Sequence, residues 1–160
     1  PPMAETVRAT GAGVVLMHMR GEPATMQERP VYGDVVAEVR DELAGWLAAA
    51  VRAGIDPDAV VLDPGLGFGK TFEHNRALLN GVSTLAALGR PILVGLSRKR
   101  MIGHLTGRAP ADRLAGSLAG LTVAVLRGAH LVRVHDGAAS LDAVRVAVGL
   151  TQKDGRRCSV

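Results

Sequence analysis

The stretch 60–71 (VVLDPGLGFGKT) places the strongest constraint on how this chain folds. A short apolar run ends there in Asp63, and Pro64 then prevents the strand from continuing because proline has no backbone N–H to donate. Three glycines follow at alternate positions, and residues without a Cβ let another group approach the main chain closely. The pattern predicts a strand that ends in a glycine loop whose backbone another group approaches closely.

The end of this stretch also resembles a phosphate-binding loop. Gly69, Lys70 and Thr71 match the last three positions of the Walker A pattern. That pattern needs a further glycine five residues before Gly69, and Pro64 occupies that position. The phosphate-loop interpretation therefore fails, and a turn capped by Asp63 stays open as the simplest alternative to a binding site.

Composition indicates one globular domain with a sizeable core. The chain has 160 residues, of which 48% are hydrophobic and only 2% aromatic, so its core must be built from Val, Leu, Ile and Ala, as in layered α/β proteins. We treat 1–160 as a single segment and expect 151–160 to be a flexible tail.

Charge and cysteine content argue against several classes of protein. The formal charge is +4, but no Lys- or Arg-rich run has aromatic residues within it, which argues against nucleic-acid binding. No run of eighteen apolar residues and no signal-peptide pattern occurs, so no membrane association is expected. The single cysteine, Cys158, allows no internal disulfide and favours a cytoplasmic protein.

Hydrophobic periodicity predicts four strands, each followed by a helix. The strands are expected at 13–19, 60–63, 91–95 and 131–134, and the helices at 33–54, 75–88, 112–127 and after Ser140, which is expected to cap the last one. No period is readable at 1–10. Successive strands begin roughly 30 to 45 residues apart, the size of a βαβ unit, so a parallel sheet is expected.

Reactive side chains follow the end of every predicted strand. They are Met19 and Arg20, then Asp63, then Ser97 to Lys99, and finally Arg133, His135 and Asp136. The C-terminal ends of parallel strands share one edge, so these residues are expected to line one pocket. Singly, each has a structural explanation: a turn-forming aspartate, a core histidine, or an arginine on the rim.

The remaining histidines do not suggest a metal site. His18, His74, His104 and His130 lack metal-ligand spacing and are interpreted as structural.

Four ordered motifs resemble the later motifs of dihydropteroate synthase. They are LMHMRG at 16–21 with TMQ at 25–27, DPGLGFGK at 63–70, GLSRK at 95–99, and RVHD at 133–136. The resemblance implies a transferase with a TIM (β/α)₈ barrel. Such an enzyme joins 6-hydroxymethyl-7,8-dihydropterin pyrophosphate to 4-aminobenzoate in folate biosynthesis, giving 7,8-dihydropteroate and pyrophosphate, and it is the sulfonamide target.

The resemblance also implies residue roles. Asp63 would accept hydrogen bonds from the pterin N–H groups, Lys99 would contact the pterin, and Phe68 would belong to the aminobenzoate pocket. Gly95 would let the ring lie against backbone, Met19 would pack on its face, and Arg133 and His135 would hold the pyrophosphate. The implied substrate-binding residues are Met19, Asp63, Gly67, Phe68, Gly95, Ser97, Lys99, Arg133 and His135, of which Lys99, Arg133 and His135 are expected to be catalytic.

A barrel of this type needs eight βα units, and four are predicted here, so the resemblance implies its second half. The first half would supply the asparagine associated with Mg²⁺, two mobile loops and further pterin contacts. We therefore expect Mg²⁺ in the full-length protein but no metal ligand in this chain. The full-length protein is expected to be a homodimer, and the 160 residues alone are expected to be inactive.

Two other functions stay open. A pterin-binding methyltransferase domain shares the barrel, but it has no pyrophosphate for Arg133 and His135 to hold. A non-catalytic remnant of the synthase would keep the motifs without turnover, and its uncovered sheet edges would favour association.

Overall fold

A computed structural model of the chain describes residues 3–151 and has an α/β architecture. The strands are β1 (Val14–Met17), β2 (Val60–Asp63), β3 (Leu93–Val94) and β4 (Leu131–Val132). The helices are α1 (Met3–Thr10), α2 (Val35–Arg52), α3 (Phe72–Asn80), α4 (Val82–Ala86), α5 (Arg100–Thr106), α6 (Leu114–Leu126) and α7 (Gly137–Thr151), with single 3₁₀ turns at Pro57–Ala59 and Pro110–Asp112.

The strands run parallel, as predicted. β1 pairs with β2 and β3 pairs with β4, both in parallel register. A parallel bridge between Leu62 and Ile92 joins the two pairs, so the spatial order follows the chain from β1 to β4. The C-terminal ends of the strands therefore share one edge, where Met17 lies opposite Asp63.

Helix α2 illustrates how the sequence specifies an element. The Asp34 side chain accepts hydrogen bonds from the backbone N–H groups of Val36 and Ala37, which have no partner within the helix. The apolar residues that recur along α2 are buried: Val35, Val39, Leu43 and Ala50. Gly54 follows the helix with a φ of +84°, a conformation that favours glycine.

The core is aliphatic, as the composition predicted. Its largest fully buried side chains are Leu43, Leu62, Leu66, Leu78, Leu85 and Ile92, which join α2, β2, α3 and α4. Within residues 3–151, no helix is both long enough and apolar enough to cross a membrane.

Several predicted boundaries were wrong. Residues 3–10 form α1, although only Val7 is buried and so no apolar period marks the helix. The helix predicted at 75–88 is divided at Gly81 into α3 and α4. A Cβ at Gly81 would lie 2.8 Å from a methyl group of Val36, so close packing against α2 needs glycine at this break.

The end of the chain also differs from the prediction. Ser140 does not cap the last helix but lies buried inside α7, where its backbone N–H donates to the carbonyl of Asp136 at 3.0 Å. The helix α5 was not predicted, because seven residues are too few to show a helical period. The predicted tail, beyond its first residue, and Cys158 lie outside the described residues.

We predict that Asp34→Ala lowers the free energy of unfolding by about 1 kcal/mol, because two N–H groups at the start of α2 lose their acceptor. Asp41→Ala is the matched control: Asp41 lies on the same helix, but its only described partner is its exposed neighbour Arg40, 2.7 Å away. Urea denaturation of both variants checks this, and equal losses for the two would contradict it.

Candidate active site

The loop at 64–70, which connects β2 to α3, is called the glycine loop below. It presses against the chain that follows β1. A Cβ at Gly65, where φ is +64°, would lie 1.8 Å from the carbonyl oxygen of His18. A Cβ at Gly69, where φ is +62°, would lie 2.4 Å from the carbonyl oxygen of Arg20. Only glycine fits at these two positions, so the alternating glycines serve a close contact between two strand ends.

Asp63 lies at the start of this loop and is only 1% exposed. Its Oδ1 accepts the backbone N–H of Gly65 at 2.7 Å, and its Oδ2 is 3.3 Å from Nη2 of Arg133. Burial raises the pKa of the Asp63 carboxyl, while the Gly65 N–H and the charge of Arg133 oppose this shift. Asp63 is therefore a turn former whose second oxygen meets Arg133 at the strand ends, an arrangement compatible with its predicted role in binding.

Lys99 joins the end of β3 to the glycine loop. Its ammonium group donates to the carbonyl of Leu66 and lies 4.8 Å from the centroid of the Phe68 ring. A Cβ at Gly67 would touch the Lys99 stem at 3.5 Å. Burial lowers the pKa of Lys99 to about 8, so this lysine loses its charge more readily than an exposed one.

Arg133 extends from the end of β4 across the neighbouring strand. A Cβ at Gly95 would lie 3.2 Å from its Nε, so the guanidinium covers the glycine backbone on its way to Asp63. The Arg133 side chain is 54% exposed. A flat ligand that binds Asp63 and lies on Gly95 must therefore displace or lift this side chain.

Ser97 and His135 form a second contact between the ends of β3 and β4. The Ser97 hydroxyl lies 3.1 Å from Nδ1 of His135 and 3.4 Å from its backbone nitrogen. Ser97 is 8% exposed, whereas His135 is exposed. The serine therefore orients an imidazole that solvent or a ligand can reach.

The turn between Ser97 and Lys99 is held in an uncommon conformation. Arg98 has a φ of +57°, which costs free energy in a residue other than glycine. Its N–H donates to Ser117 Oγ at 2.9 Å, and its carbonyl accepts from Arg113 Nη1 at 2.9 Å. Its guanidinium pairs with Asp136 at 2.6 Å, and this contact lowers the pKa of the Asp136 carboxyl. These contacts fix the backbone of the turn that follows β3 and thereby the position of Lys99.

The nine predicted site residues form two groups, the members of each joined by contacts, and one residue that stands apart. One group is Asp63, Gly67, Phe68, Gly95, Lys99 and Arg133, and the other is Ser97 with His135. Met19 is half-buried just after β1, and no contact to the other eight is among those described for residues 3–151. Arg20 bonds away from the site, to the carboxylates of Glu38 at 2.8 Å and of Glu42.

Sequence reasoning missed four residues that hold the site loops: Ser117, Arg113, Tyr32 and Asn75. It placed Gln27 in the motif at 25–27 but gave it no role, although Gln27 donates to the carbonyl of Gly67. Oδ1 of Asn75 accepts the backbone N–H of Gly67 at 2.7 Å, and the Tyr32 hydroxyl donates to the carbonyl of Gly69 at 3.1 Å. Ser117, Arg113, Tyr32 and Asn75 have no local sequence signal, because each acts from an element distant in the chain or from a helix. Among residues 3–151 there is no group of three His, Cys, Asp or Glu side chains that could hold a metal ion.

Comparison with known proteins gives consistent matches. The model of the family described as "Pterin binding enzyme" matches residues 1–135. The dihydropteroate synthase of Escherichia coli K12 is 44% identical over 158 residues, which cover 98% of this chain and 56% of that protein.

Solved structures agree with this. A Yersinia pestis dihydropteroate synthase in a sulfonamide drug complex has a TM-score of 0.90 and 38% identity, covering 94% of this chain and 55% of that one. A Xanthomonas albilineans dihydropteroate synthase with 4-aminobenzoic acid has a TM-score of 0.87 and 47% identity, covering 94% and 53%. The chain thus spans just over half the length of these three relatives.

We predict that Gly65→Ala destabilises the protein by at least about 2 kcal/mol more than Gly89→Ala, because the new methyl group meets the His18 carbonyl. Gly89 is the matched control: its φ is +75°, but nothing lies within 4 Å of its Cβ position, so it isolates the backbone strain from the clash. Thermal unfolding of both variants measures the difference. Equal destabilisation would show that the loop does not depend on this close contact.

Proposed function

The chain belongs to the family of pterin-binding enzymes, and from that premise we propose that the full-length protein is a dihydropteroate synthase. The observation that carries the proposal is the convergence of Asp63, Lys99 and Arg133 at the C-terminal edge of the parallel strands. A buried carboxylate beside two cations suits a ligand with N–H donors at one end and a polyanion at the other. 7,8-Dihydropterin pyrophosphate is such a ligand.

The same proposal covers the fold. Four βα units in parallel order form the C-terminal half of a TIM (β/α)₈ barrel. Two features support this: the chain covers 56% of its Escherichia coli relative, and apolar strand residues such as Val15 and Leu131 are 45% and 42% exposed. In the full-length protein, the other half would cover them.

In this proposal the pterin takes the place that Arg133 occupies here. Its N–H groups donate to Asp63, which keeps its bond to the Gly65 N–H, and its ring lies on Gly95. Lys99 already reaches the glycine loop and needs only a small movement to contact the pterin. Met19 would pack on the ring from the adjacent strand.

The displaced guanidinium of Arg133 then faces the pyrophosphate, together with His135. The bond between the pterin methylene carbon and the pyrophosphate oxygen breaks, and its electron pair leaves with the pyrophosphate. The aniline nitrogen of 4-aminobenzoate bonds to the methylene carbon and loses one proton to solvent. The residues supply orientation and fixed positive charge, and no strong base is needed.

Phe68 and Gly67 form the side of the pocket that receives 4-aminobenzoate. The Phe68 ring is half-buried and stands beside the Lys99 ammonium group. The relative solved with 4-aminobenzoic acid supports this substrate, and the relative solved in a sulfonamide drug complex supports sulfonamide binding.

Mg²⁺, a homodimer and a cytoplasmic location are proposed for the full-length protein only. Residues 3–151 contain no group of three His, Cys, Asp or Glu side chains that could hold a metal ion, so no Mg²⁺ ligand is assigned among them, and no step above involves the ion. A methyltransferase has no use for Arg133 and His135 beside a leaving group, which favours the synthase. A non-catalytic remnant differs from the synthase only in turnover.

We predict that the full-length protein forms 7,8-dihydropteroate from the pterin pyrophosphate and 4-aminobenzoate when Mg²⁺ is present. Product is measured by chromatography, and a reaction without 4-aminobenzoate is the control. Absence of product would leave the remnant as the better interpretation.

We predict different effects for the two partners of the Asp63–Arg133 pair. Asp63→Asn should weaken binding of the pterin with or without its pyrophosphate by roughly 1.5 to 3 kcal/mol, about tenfold or more, because charge-assisted bonds are lost. Arg133→Ala should weaken only the pyrophosphate form. Calorimetric titration with both ligands measures this, and equal effects of both substitutions on both ligands would contradict the assigned roles.

We predict that the 160 residues by themselves do not turn over substrate. The reaction must hold three groups in place together, and a misplacement of about 1 Å can cost roughly 100-fold in rate. Turnover and molecular mass of the purified chain are measured beside the full-length protein. Ordinary synthase activity from a monomer of the shorter chain would contradict the expectation.

A further inference from the structure

Four successive carbonyl groups of the glycine loop are each held by a different side chain. The acceptors are Leu66, Gly67, Phe68 and Gly69, and their donors are, in the same order, Lys99, Gln27, Lys70 and Tyr32. These donors come from segments that precede, contain and follow the loop. Fixing every carbonyl in a row leaves the loop little freedom to move, so the direction of the Phe68 side chain is set by these contacts.

Lys70 differs from the other donors because it acts from inside the protein. It is 3% exposed, and its ammonium nitrogen lies 3.0 Å from the carbonyl oxygen of Phe68 and 2.9 Å from Nδ1 of His18. Burial lowers the pKa of Lys70 to about 8. A buried cation costs free energy unless its hydrogen bonds and nearby negative charges offset that cost. An apolar side chain of the same length would fill the space without this cost, so the ammonium group must meet a need other than packing.

His18 and Glu42 determine how the ammonium group is oriented. His18 is fully buried, and its Nε2 lies 3.1 Å from Oε2 of Glu42. Burial and the charge of Lys70 lower the pKa of His18 to about 4, so the imidazole is neutral near pH 7. A neutral imidazole accepts from Lys70 at Nδ1 only when its proton is on Nε2, which is the nitrogen facing Glu42. The His18 ring also stacks on Trp46, with 5.5 Å between the ring centroids.

We propose that Lys70 is a positioning residue for the 4-aminobenzoate pocket: it fixes the carbonyl of Phe68, and thereby the Phe68 ring, while His18 and Glu42 hold its ammonium group in place. This inference rests on the proposed function, because only that function gives Phe68 a ligand. Two lysines thus hold the glycine loop. The buried Lys70 bonds the carbonyl of Phe68, and Lys99, which the proposed pterin would contact, bonds the carbonyl of Leu66. Lys99 is expected to change partners when the pterin binds, and Lys70 is not.

The test is a double-mutant cycle in the full-length protein, read as KM for each substrate. Lys70→Met should raise KM for 4-aminobenzoate about tenfold, the size of one lost charge-assisted hydrogen bond, and change KM for the pterin pyrophosphate less than about twofold. In a Phe68→Ala background, the same change should alter KM for 4-aminobenzoate less than about twofold, because the group that it positions is gone. Equal rises for both substrates, or the full tenfold effect in the Phe68→Ala background, would overturn the proposal.

A second pair of variants tests the proposal even if Lys70→Met does not fold. The Glu42 side chain is 35% exposed, so replacing it leaves the core intact. Glu42→Ala removes the acceptor for His18, while Arg20, which also bonds Glu42, keeps its pair with Glu38. This variant should raise KM for 4-aminobenzoate about threefold, whereas Glu42→Gln keeps an acceptor and should restore KM to within about twofold of the original protein. An unchanged KM in Glu42→Ala would also overturn the proposal.

A failure of the proposed function can be distinguished from a failure of the role proposed for Lys70. If the unsubstituted protein shows no turnover, the synthase assignment fails, and hydrogen exchange of the amides at 65–69 then decides the role of Lys70. Tyr32→Phe is the comparison, because it removes a different side-chain bond to the loop, the one to the carbonyl of Gly69. Faster exchange in Lys70→Met than in Tyr32→Phe supports the role of Lys70 in fixing the loop. Equal exchange in the two variants refutes it.

Discussion

The close contact between the glycine loop and the end of β1 is the constraint on which the rest of the site depends. Gly65 and Gly69 lie against the carbonyl groups of His18 and Arg20, where no larger residue fits. This contact turns the chain sharply after Asp63, so the carboxylate stays at the strand end with a backbone N–H on one oxygen. It also brings the loop carbonyls within reach of donors from distant segments. A single packing requirement therefore positions both the carboxylate and the aromatic ring of the site.

The charged side chains of the site have partners within the protein. Arg133 reaches Asp63, and Lys99 reaches the Leu66 carbonyl, so a ligand gains only the difference between its contacts and those that it replaces. A pterin that carries a pyrophosphate offers partners to both groups at once: donors for Asp63 and an anion for Arg133. A pterin without the pyrophosphate offers only the first. If the proposed function holds, this internal pairing would favour the pterin pyrophosphate over the pterin without it.

The strand ends could be predicted from the sequence because each combines a short apolar run with polar residues at its end or within the next five positions. This signal located Asp63, Lys99, Arg133 and His135, and the glycine spacing predicted a close backbone approach. The supporting contacts could not be predicted in this way. Ser117 and Arg113 hold the strained Arg98 from α6 and its start, and Tyr32 acts from the loop before α2. Such contacts depend on how helices pack on the sheet, which leaves no local pattern. The helices α1 and α5 were missed for a related reason, since both are short and bury only one or two residues.

The proposed function requires a pterin to displace Arg133 from Asp63 and to turn the guanidinium toward the leaving group. A crystal structure of the full-length protein with 7,8-dihydropteroate and pyrophosphate tests it most directly. We expect the pterin N–H groups on Asp63, the ring on Gly95, the aminobenzoate group beside Phe68, and Arg133 on the pyrophosphate. A structure in which product binds elsewhere, while Arg133 still pairs with Asp63, would contradict the account.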